Sequence, residues 1–235
     1  MCEFYKKKVK WTIDPHFISN IIIHLNKDKN EHAGVLLFRD TECSIDGTCK
    51  KTSTQYRLNK GNGSSVSTPY GIINYHTHPK FAYDQEKAVY GWPSGEDLAA
   101  CIEFAKNGTL CHIVFTLEGM YVIKVINILK NVNDINMLED YFKKTHVFRS
   151  EDQGVQYIKF NKTFRALGDT TLDMWLNLVN NTTLNDLCRF KGKRSRGLPG
   201  SKNIFQVNLV FYNSPFFMAN YISEKCHSNN FNKFG

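Results

Sequence analysis

The segment Gly71-Ile-Ile-Asn-Tyr-His-Thr-His-Pro79 decides how this chain is interpreted. Its apolar first half predicts a short buried strand that runs directly into two histidines. His76 and His78 are two residues apart, and side chains alternate along a strand, so both imidazoles point to the same side. Pro79 ends the strand, which places the pair at an edge or mouth of the sheet. Both rings can then reach one metal ion.

A second motif, Pro93-Ser-Gly-Glu-Asp97, follows fifteen residues after the second histidine. Ser94 is a natural N-cap for a helix that continues to about Lys106, and Asp97 falls in its first turn. Asp97 is therefore the expected third ligand. Two histidines and one carboxylate leave the fourth tetrahedral position for water, as a catalytic zinc site requires. Glu31 is the candidate base that accepts the proton of this water.

Each piece also has an ordinary structural explanation. A His-x-His pair often consists of polar residues beside a turn, and Ser-x-x-Asp is common as a helix cap. Glu31 alone would be a turn carboxylate. The combination favours a single site, because the order of the pieces and their strand and helix contexts agree.

The surrounding pattern predicts a mixed α/β unit over residues 1–130. Asp14-Pro15 reads as a cap and first residue of an amphipathic helix at 15–26. A long loop is expected at 79–93. The predicted strands are 8–13, 34–38, weak strands near 41–45 and 54–58, 71–75, 111–116 and 120–126, the last two joined by a turn at 117–119.

Residues 131–235 have a different character and predict a mostly helical C-terminal extension. Helices are expected at 135–145, 156–167 and 170–189, followed by a basic loop at 189–202, a β-like stretch at 205–212 and a polar, frayed tail from Ser223.

Composition narrows the class of protein. Hydrophobic residues make up 42% of the chain, enough to bury a core. No run of eighteen apolar residues occurs, so no membrane span is expected. The N-terminus lacks the apolar core of a signal peptide, which favours a cytoplasmic location. The seven cysteines have irregular spacings, so we expect free thiols and no second Cys/His metal cluster, although Cys43 and Cys49 could flank a hairpin turn.

The formal charge of +8 is concentrated in the basic loop, which holds six basic residues and no acidic ones. Such a run contacts nucleic acid or another anionic partner in some proteins and is a solvated loop in others. With a single aromatic residue and no binding motif, nucleic-acid binding ranks low. The candidate anion contacts are Arg189, Lys191, Lys193, Arg194 and Arg196.

Over about residues 8–128 the chain resembles the JAMM/MPN family of zinc isopeptidases. That family's pattern is Glu … His-x-His-Pro … Ser-x-x-Asp. Glu31-His-Ala-Gly-Val-Leu-Leu37 resembles the family's glutamate-bearing strand, and Leu117-Glu-Gly-Met-Tyr-Val122 resembles its late hairpin.

The resemblance implies an MPN fold, a cytidine-deaminase-like mixed sheet flanked by helices. It also implies one zinc ion bound by His76, His78 and Asp97. Glu31 would act as general base and then general acid, and Ser94 would hydrogen-bond the developing oxyanion. The implied reaction is hydrolysis of the isopeptide bond that joins ubiquitin or a ubiquitin-like protein to a lysine, or of another peptide-like amide bond.

The chain departs from the family between the second histidine and the serine, where the family has a shorter stretch. The insert carries four aromatic residues expected to form a lid or a docking surface: Phe81, Tyr83, Tyr90 and Trp92. Its aromatic content and the abundance of Lys, Asn and Ile resemble MPN-like proteins encoded by large DNA viruses. A viral member could be virion-associated.

Two other classes of function remain open on the sequence. Many MPN domains are assembly surfaces without activity, and the unmatched C-terminal residues favour binding to a protein partner in a larger assembly or virion. Domains of that kind usually lack the metal ligands that this chain has. A serine or cysteine hydrolase is set aside because no GxSxG elbow or comparable nucleophile context occurs.

Overall fold

The structure is a computed structural model of the 235-residue chain. It describes residues 3–43, 48–63, 65–86, 88, 90–127, 141, 169–183, 185–186, 202–214 and 216–225. The elements, in chain order, are β1 (Glu3–Thr12), α1 (Pro15–Lys27), β2 (His32–Cys43), β3 (Thr48–Lys60), β4 (Ile73–Thr77), α2 (Lys80–Glu86), α3 (Gly95–Lys106), β5 (Cys111–Phe115), β6 (Met120–Val125), α4 (Asp169–Asn181), β7 (Phe205–Val210) and β8 (Phe216–Lys225).

Eight strands form one mixed sheet in the order β7-β6-β5-β4-β2-β3-β1-β8. The pairs β1–β3 and β4–β5 are parallel, and the other neighbours are antiparallel. β4, the strand that leads into the two histidines, therefore lies in the middle of the sheet, and the histidines are at its C-terminal end. The expected α/β class, a mixed sheet with flanking helices, is confirmed.

The helix starts follow the local sequence signals. Asp14 caps α1, with its side chain accepting a hydrogen bond from the backbone N–H of His16 at 3.0 Å, and proline occupies the first helical position. The buried face of α1 carries Phe17, Ile21 and Leu25, at the helical spacing that predicted it.

Helices cover both faces of the sheet. On one face, α1 packs its apolar stripe over β4, β5 and β6 through residues such as Tyr75 and Phe115. On the other face, α3 and α4 pack over β5, β6 and β7, and Trp175 of α4 is fully buried there. Burying both faces explains why β4 and β5 have no exposed residue.

Alternation along β4 and β5 sorts their residues between these two cores. Ile73 and Tyr75 belong to the α1 face. The intervening residues Asn74 and His76, together with His112 of β5, therefore face α3. All three are buried and polar, which is costly unless their hydrogen bonds are satisfied.

Several expected elements differ from the structure. The predicted loop at 79–93 contains α2, because the first residues of the insert form a short helix with an ion pair between Lys80 and Asp84 at 2.6 Å. β2 and β3 are continuous long strands where weak ones were expected, since they pair with each other along almost their whole length. Free thiols were expected, and Cys101 and Cys111 are free. Cys49, however, is disulfide-bonded, and Cys43 lies opposite it in the β2–β3 register.

The C-terminal residues contribute to both edges of the sheet. β7, within the predicted β-like stretch, pairs with β6, and β8 pairs with β1 along its whole length. The predicted boundary at residue 130 therefore separates strands that share one sheet. β8 runs to Lys225, past the expected start of the frayed tail, and α4 ends at Asn181, earlier than predicted. The helices expected at 135–145 and 156–167 fall outside the described residues, apart from residue 141.

Among the described residues, no helix combines the length and the apolar character needed to cross a membrane.

Candidate metal centre

The three expected ligands lie together where β4 ends and α3 begins. The Nε2 atoms of His76 and His78 are 2.9 Å apart. Asp97 places Oδ1 3.3 Å from Nε2 of His76 and Oδ2 3.5 Å from Nε2 of His78. His76 is buried and the other two side chains are partly buried.

These distances fit a single zinc ion. Two atoms that each lie about 2.0–2.1 Å from a common ion can be no more than about 4.2 Å apart, and all three separations are shorter than that. The donor set, two imidazoles and one carboxylate, is also of the kind that zinc prefers in catalytic sites. These residues could hold a metal ion.

The cap of α3 holds Asp97 in place. The Ser94 backbone N–H donates to Oδ2 of Asp97 at 2.6 Å, and the Asp97 N–H donates to Oγ of Ser94 at 3.1 Å. This reciprocal capping box fixes the carboxylate in the first helical turn. Its negative charge is favoured there by the positive end of the helix dipole.

A buried hydrogen-bond chain sets the tautomer of His76. Asn74 donates from Nδ2 to the carbonyl of Pro69 at 3.2 Å, so its Oδ1 is the acceptor for His112 Nδ1–H at 2.8 Å. His112 Nε2 then carries a lone pair and accepts from His76 Nδ1–H at 2.7 Å. His76 is thereby left with a lone pair on Nε2, the atom that faces Asp97 and His78.

Electrostatics agree with a neutral His112. Burial, together with the neighbouring charge of His76, holds the pKa of His112 well below its usual range. The chain Asn74–His112–His76 was not predicted from the sequence. The available signal was a histidine inside an otherwise apolar strand, next to the strand that carries the His-x-His pair.

His78 is oriented by the insert. Its Nδ1–H donates to the carbonyl of Gly91 at 2.7 Å, which turns Nε2 toward the other ligands. Gly91 is itself fixed, since its N–H donates to Glu118 Oε1 at 2.9 Å. Glu118, in the β5–β6 turn, also accepts from the hydroxyl of Tyr83 at 2.6 Å. Gly91 and Glu118 are two further residues that sequence reasoning missed.

The charged side chains of this site change one another's pKa. Burial lowers the pKa of His78, but the hydrogen bond and charge of Asp97 and the charge of Glu31 outweigh it and raise the pKa to about 9. Burial raises the pKa of Asp97, yet His76 and His78 hold it well below its usual range. At neutral pH and without an ion, a proton on His78 therefore sits between the ligand atoms.

Glu31 lies immediately before β2, with its backbone N–H and carbonyl bonded to Asn62 and Gly61 at 2.9 and 2.8 Å. Ala33 of β2 pairs directly with His76, so residues 31 and 33 share the face of the sheet that carries His76. The effect of Glu31 on the pKa of His78 agrees with this placement. Glu31 therefore lies at the N-terminal end of β2 on the face of the sheet that carries the expected ligands.

The four aromatic residues of the insert have different surroundings. Tyr83 is buried against Glu118, a position that favours holding the insert over contacting a substrate. Tyr90 stacks on Trp92 at 5.5 Å between ring centroids, and Trp92 stacks on Trp175 of α4 at 5.6 Å. Phe81 is partly buried, with Lys29 Nζ 5.6 Å from its ring centroid.

The basic residues predicted as anion contacts, Arg189, Lys191, Lys193, Arg194 and Arg196, lie outside the described residues.

Comparison with known proteins gives one similarity over a short stretch. Over 66 residues the chain is 33% identical to uncharacterized protein 3R of Frog virus 3 (isolate Goorha). That stretch covers 28% of this chain and 14% of the viral protein. No protein-family model matches the chain. No solved structure matches it either.

Proposed function

We propose that this chain is a zinc metallopeptidase of the JAMM/MPN type, which hydrolyses the isopeptide bond of a ubiquitin or ubiquitin-like conjugate or a related amide bond. The observation that carries the proposal is the convergence of His76, His78 and Asp97 to within 3.5 Å of one another, with Ser94 bonded to Asp97 and the charge of Glu31 acting on His78. These residues come from three separate parts of the sequence. Their meeting supports the resemblance on which the proposal rests.

Binding of the ion falls to His76, His78 and Asp97. When bound, zinc polarises the scissile carbonyl and makes water a stronger nucleophile at neutral pH. The ligands' own supports are in place before binding, because His112, Gly91 and Ser94 already orient them. Such preorganisation reduces the reorganisation that catalysis would otherwise require.

Glu31 carries the proton in this proposal. Its carboxylate accepts a proton from the attacking water, whose oxygen bonds to the scissile carbonyl carbon. As the C–N bond breaks, Glu31 gives that proton to the leaving lysine amine. The Ser94 hydroxyl accepts a bond from the Asp97 N–H, so its own hydrogen remains for donation to the oxyanion.

The insert is the proposed substrate-facing element. Its residues Tyr90 and Trp92 are partly buried, and they stack in series on the fully buried Trp175 of α4. Partly buried aromatic rings of this kind provide contact area at low cost in side-chain entropy. We expect Tyr90 and Trp92 to affect substrate selection, while Tyr83 and Glu118 hold the insert.

Cleavage of a panel of ubiquitin and ubiquitin-like conjugates tests the proposal, with Glu31→Gln as the decisive variant. The expected result is zinc-dependent cleavage by the wild type and a loss of at least about 100-fold in Glu31→Gln with zinc content unchanged. Glu103→Gln removes an exposed carboxylate from α3 and is the matched control. Full activity of Glu31→Gln on every cleaved conjugate would refute the mechanism. Zinc binding without cleavage of any conjugate would favour a scaffold role.

A further inference from the structure

A second group of ligand-type side chains lies where α1 ends and β2 begins. His24 is in the last turn of α1, Asp28 is its C-cap, and His32 is the first residue of β2. The spacing of four residues places the first two on one side of the helix end. His32 alternates with Ala33, which pairs with His76, so this group lies on the opposite face of the sheet from the first centre.

One carboxylate oxygen is at the centre of the group. Oδ2 of Asp28 lies 2.8 Å from Nε2 of His32 and 3.9 Å from Nδ1 of His24. The three ligand atoms lie within 4.8 Å of one another. The imidazole rings of His24 and His32 are 4.5 Å apart between centroids. The side chain of His24 is 36% exposed, so its ring has room to move closer.

The hydrogen bonding of His32 is incomplete. Its side chain is only 4% exposed, and Nε2 contacts Asp28, but the buried Nδ1 has no hydrogen-bond partner among the described residues. Nε2 is therefore the anchored nitrogen of the ring and the one that would bind an ion beside Asp28, with the ring proton on Nδ1.

Charge at this point also favours a cation. The carbonyl end of α1 carries the negative end of the helix dipole. The hydrogen bond from His32 lowers the pKa of Asp28 to about 2, and burial together with the charge of His32 lowers the pKa of His24. A carboxylate and a neutral imidazole are therefore present at pH 7. Lys60, whose Nζ lies 3.6 Å from Asp28, competes for the carboxylate, but its side chain is 59% exposed and can withdraw.

We propose that His24, Asp28 and His32 bind a second divalent metal ion, separate from the first centre. Two imidazoles and a carboxylate suit zinc or a neighbouring transition metal better than calcium or magnesium, which prefer oxygen ligands. The ion ties the end of α1 to the start of β2. Its role is structural. Because His32 directly follows Glu31, an ion bound there would fix the start of β2 and, with it, the position of Glu31.

Zinc per chain, measured by mass spectrometry after equilibration with zinc and removal of the excess, tests the proposal. We expect about two ions in the wild type, one in His76→Ala/His78→Ala and one in His24→Ala, since each change removes ligands from one site only. The combination of all three substitutions should bind none. His24→Ala changes a partly exposed side chain, so the fold is kept.

The matched control is His16→Ala, an exposed histidine on α1 outside the group, which should bind as much zinc as the wild type. A second readout is the melting temperature of His76→Ala/His78→Ala, which zinc should raise. When Asp28→Asn is added to this variant, zinc should no longer raise the melting temperature.

The outcomes separate the two sites. Equal zinc content in His24→Ala and wild type, or no zinc in folded His76→Ala/His78→Ala, would overturn the second site. Loss of all zinc from His24→Ala, with zinc retained by His76→Ala/His78→Ala, would support the second site and count against the first.

Discussion

The imidazole of His112 lies under that of His76, with the rings 24° from parallel, their centroids 4.9 Å apart and a 2.7 Å hydrogen bond between Nε2 and Nδ1. Because Asn74 fixes the other nitrogen of His112, this bond determines which nitrogen of His76 faces the metal centre. His112 thus determines the protonation of His76 Nε2 without contacting that atom.

Replacing His112 by alanine should weaken zinc binding by about 10–100-fold, as is typical when a hydrogen-bond partner of a ligating histidine is removed. Competition with a chromophoric chelator measures the affinity. His112→Gln, which can still accept a hydrogen bond from His76, should recover part of the loss. Ile123→Ala opens a cavity beside the same strand position and serves as the control. Equal affinity in His112→Ala and Ile123→Ala would contradict the tautomer argument.

Zinc binding at the first centre should release protons and strengthen with pH. His78 has a raised pKa of about 9, so below that pH its proton must leave before Nε2 can bind the ion. At pH 7 roughly one proton should be released per ion bound at this centre. Calorimetry of His24→Ala in two buffers with different ionisation enthalpies measures this number. Zinc binding with no proton release would contradict the raised pKa.

The metal-free protein should lose stability at acid pH through Asp28. Its pKa is depressed in the folded state, so its contribution is present above the unfolded value, near 4, and is lost as pH falls to about 2. In chelator, Asp28→Asn should therefore lower the free energy of unfolding at pH 7 by about 1 kcal/mol, less than the full pKa shift implies, because solvent screens this carboxylate. The difference from wild type should shrink toward zero near pH 2. Urea unfolding at several pH values checks this, and a pH-independent difference would be evidence against it.

Substituting Gly91 by alanine should damage both the insert and the first centre. A Cβ at this position would overlap the hydroxyl of Tyr83, which is bonded to Glu118 and cannot easily move. We expect a loss of about 1–3 kcal/mol in the free energy of unfolding, with weaker zinc binding because relief of the clash shifts the residue 91 carbonyl away from His78. Gly63→Ala is the control, since its added Cβ would meet only ordinary contacts at 3.7 Å. Similar behaviour of the two variants would refute this role of Gly91.

Local signals predicted the ligand positions well. The N-cap at Asp14, the capping box of Ser94 and the turn at Gly119, whose φ is +154°, each depend on a few adjacent residues, and the structure has all three. Alternation along a strand likewise sufficed to place His76 and His78 on one side. The gathering of His76, His78 and Asp97 could be predicted because these residues fall at the ends of such elements.

Features that depend on non-local strand pairing could not be predicted from the sequence. The antiparallel partnership of β8 with β1 joins opposite ends of the chain, and no local pattern in either strand specifies it. The helix α2 was missed because no polar cap precedes Lys80. The group at the end of α1 was not predicted, because a second metal site was considered only for clusters of cysteine and histidine. The signal was a carboxylate between two histidines at equal spacing, His24, Asp28 and His32.

Glu31 and His32 are neighbours in the chain, yet they belong to opposite sides of the sheet. The register of β2 therefore determines which of these two side chains lies on which face of the sheet. Insertion or deletion of one residue before Ala33 would exchange the two sides and turn the proposed base toward α1 and the histidine toward α3. A one-residue shift would then remove a residue from each of the two proposed sites at once. A shift of two residues would keep both side chains on their own faces and change only their positions along the strand.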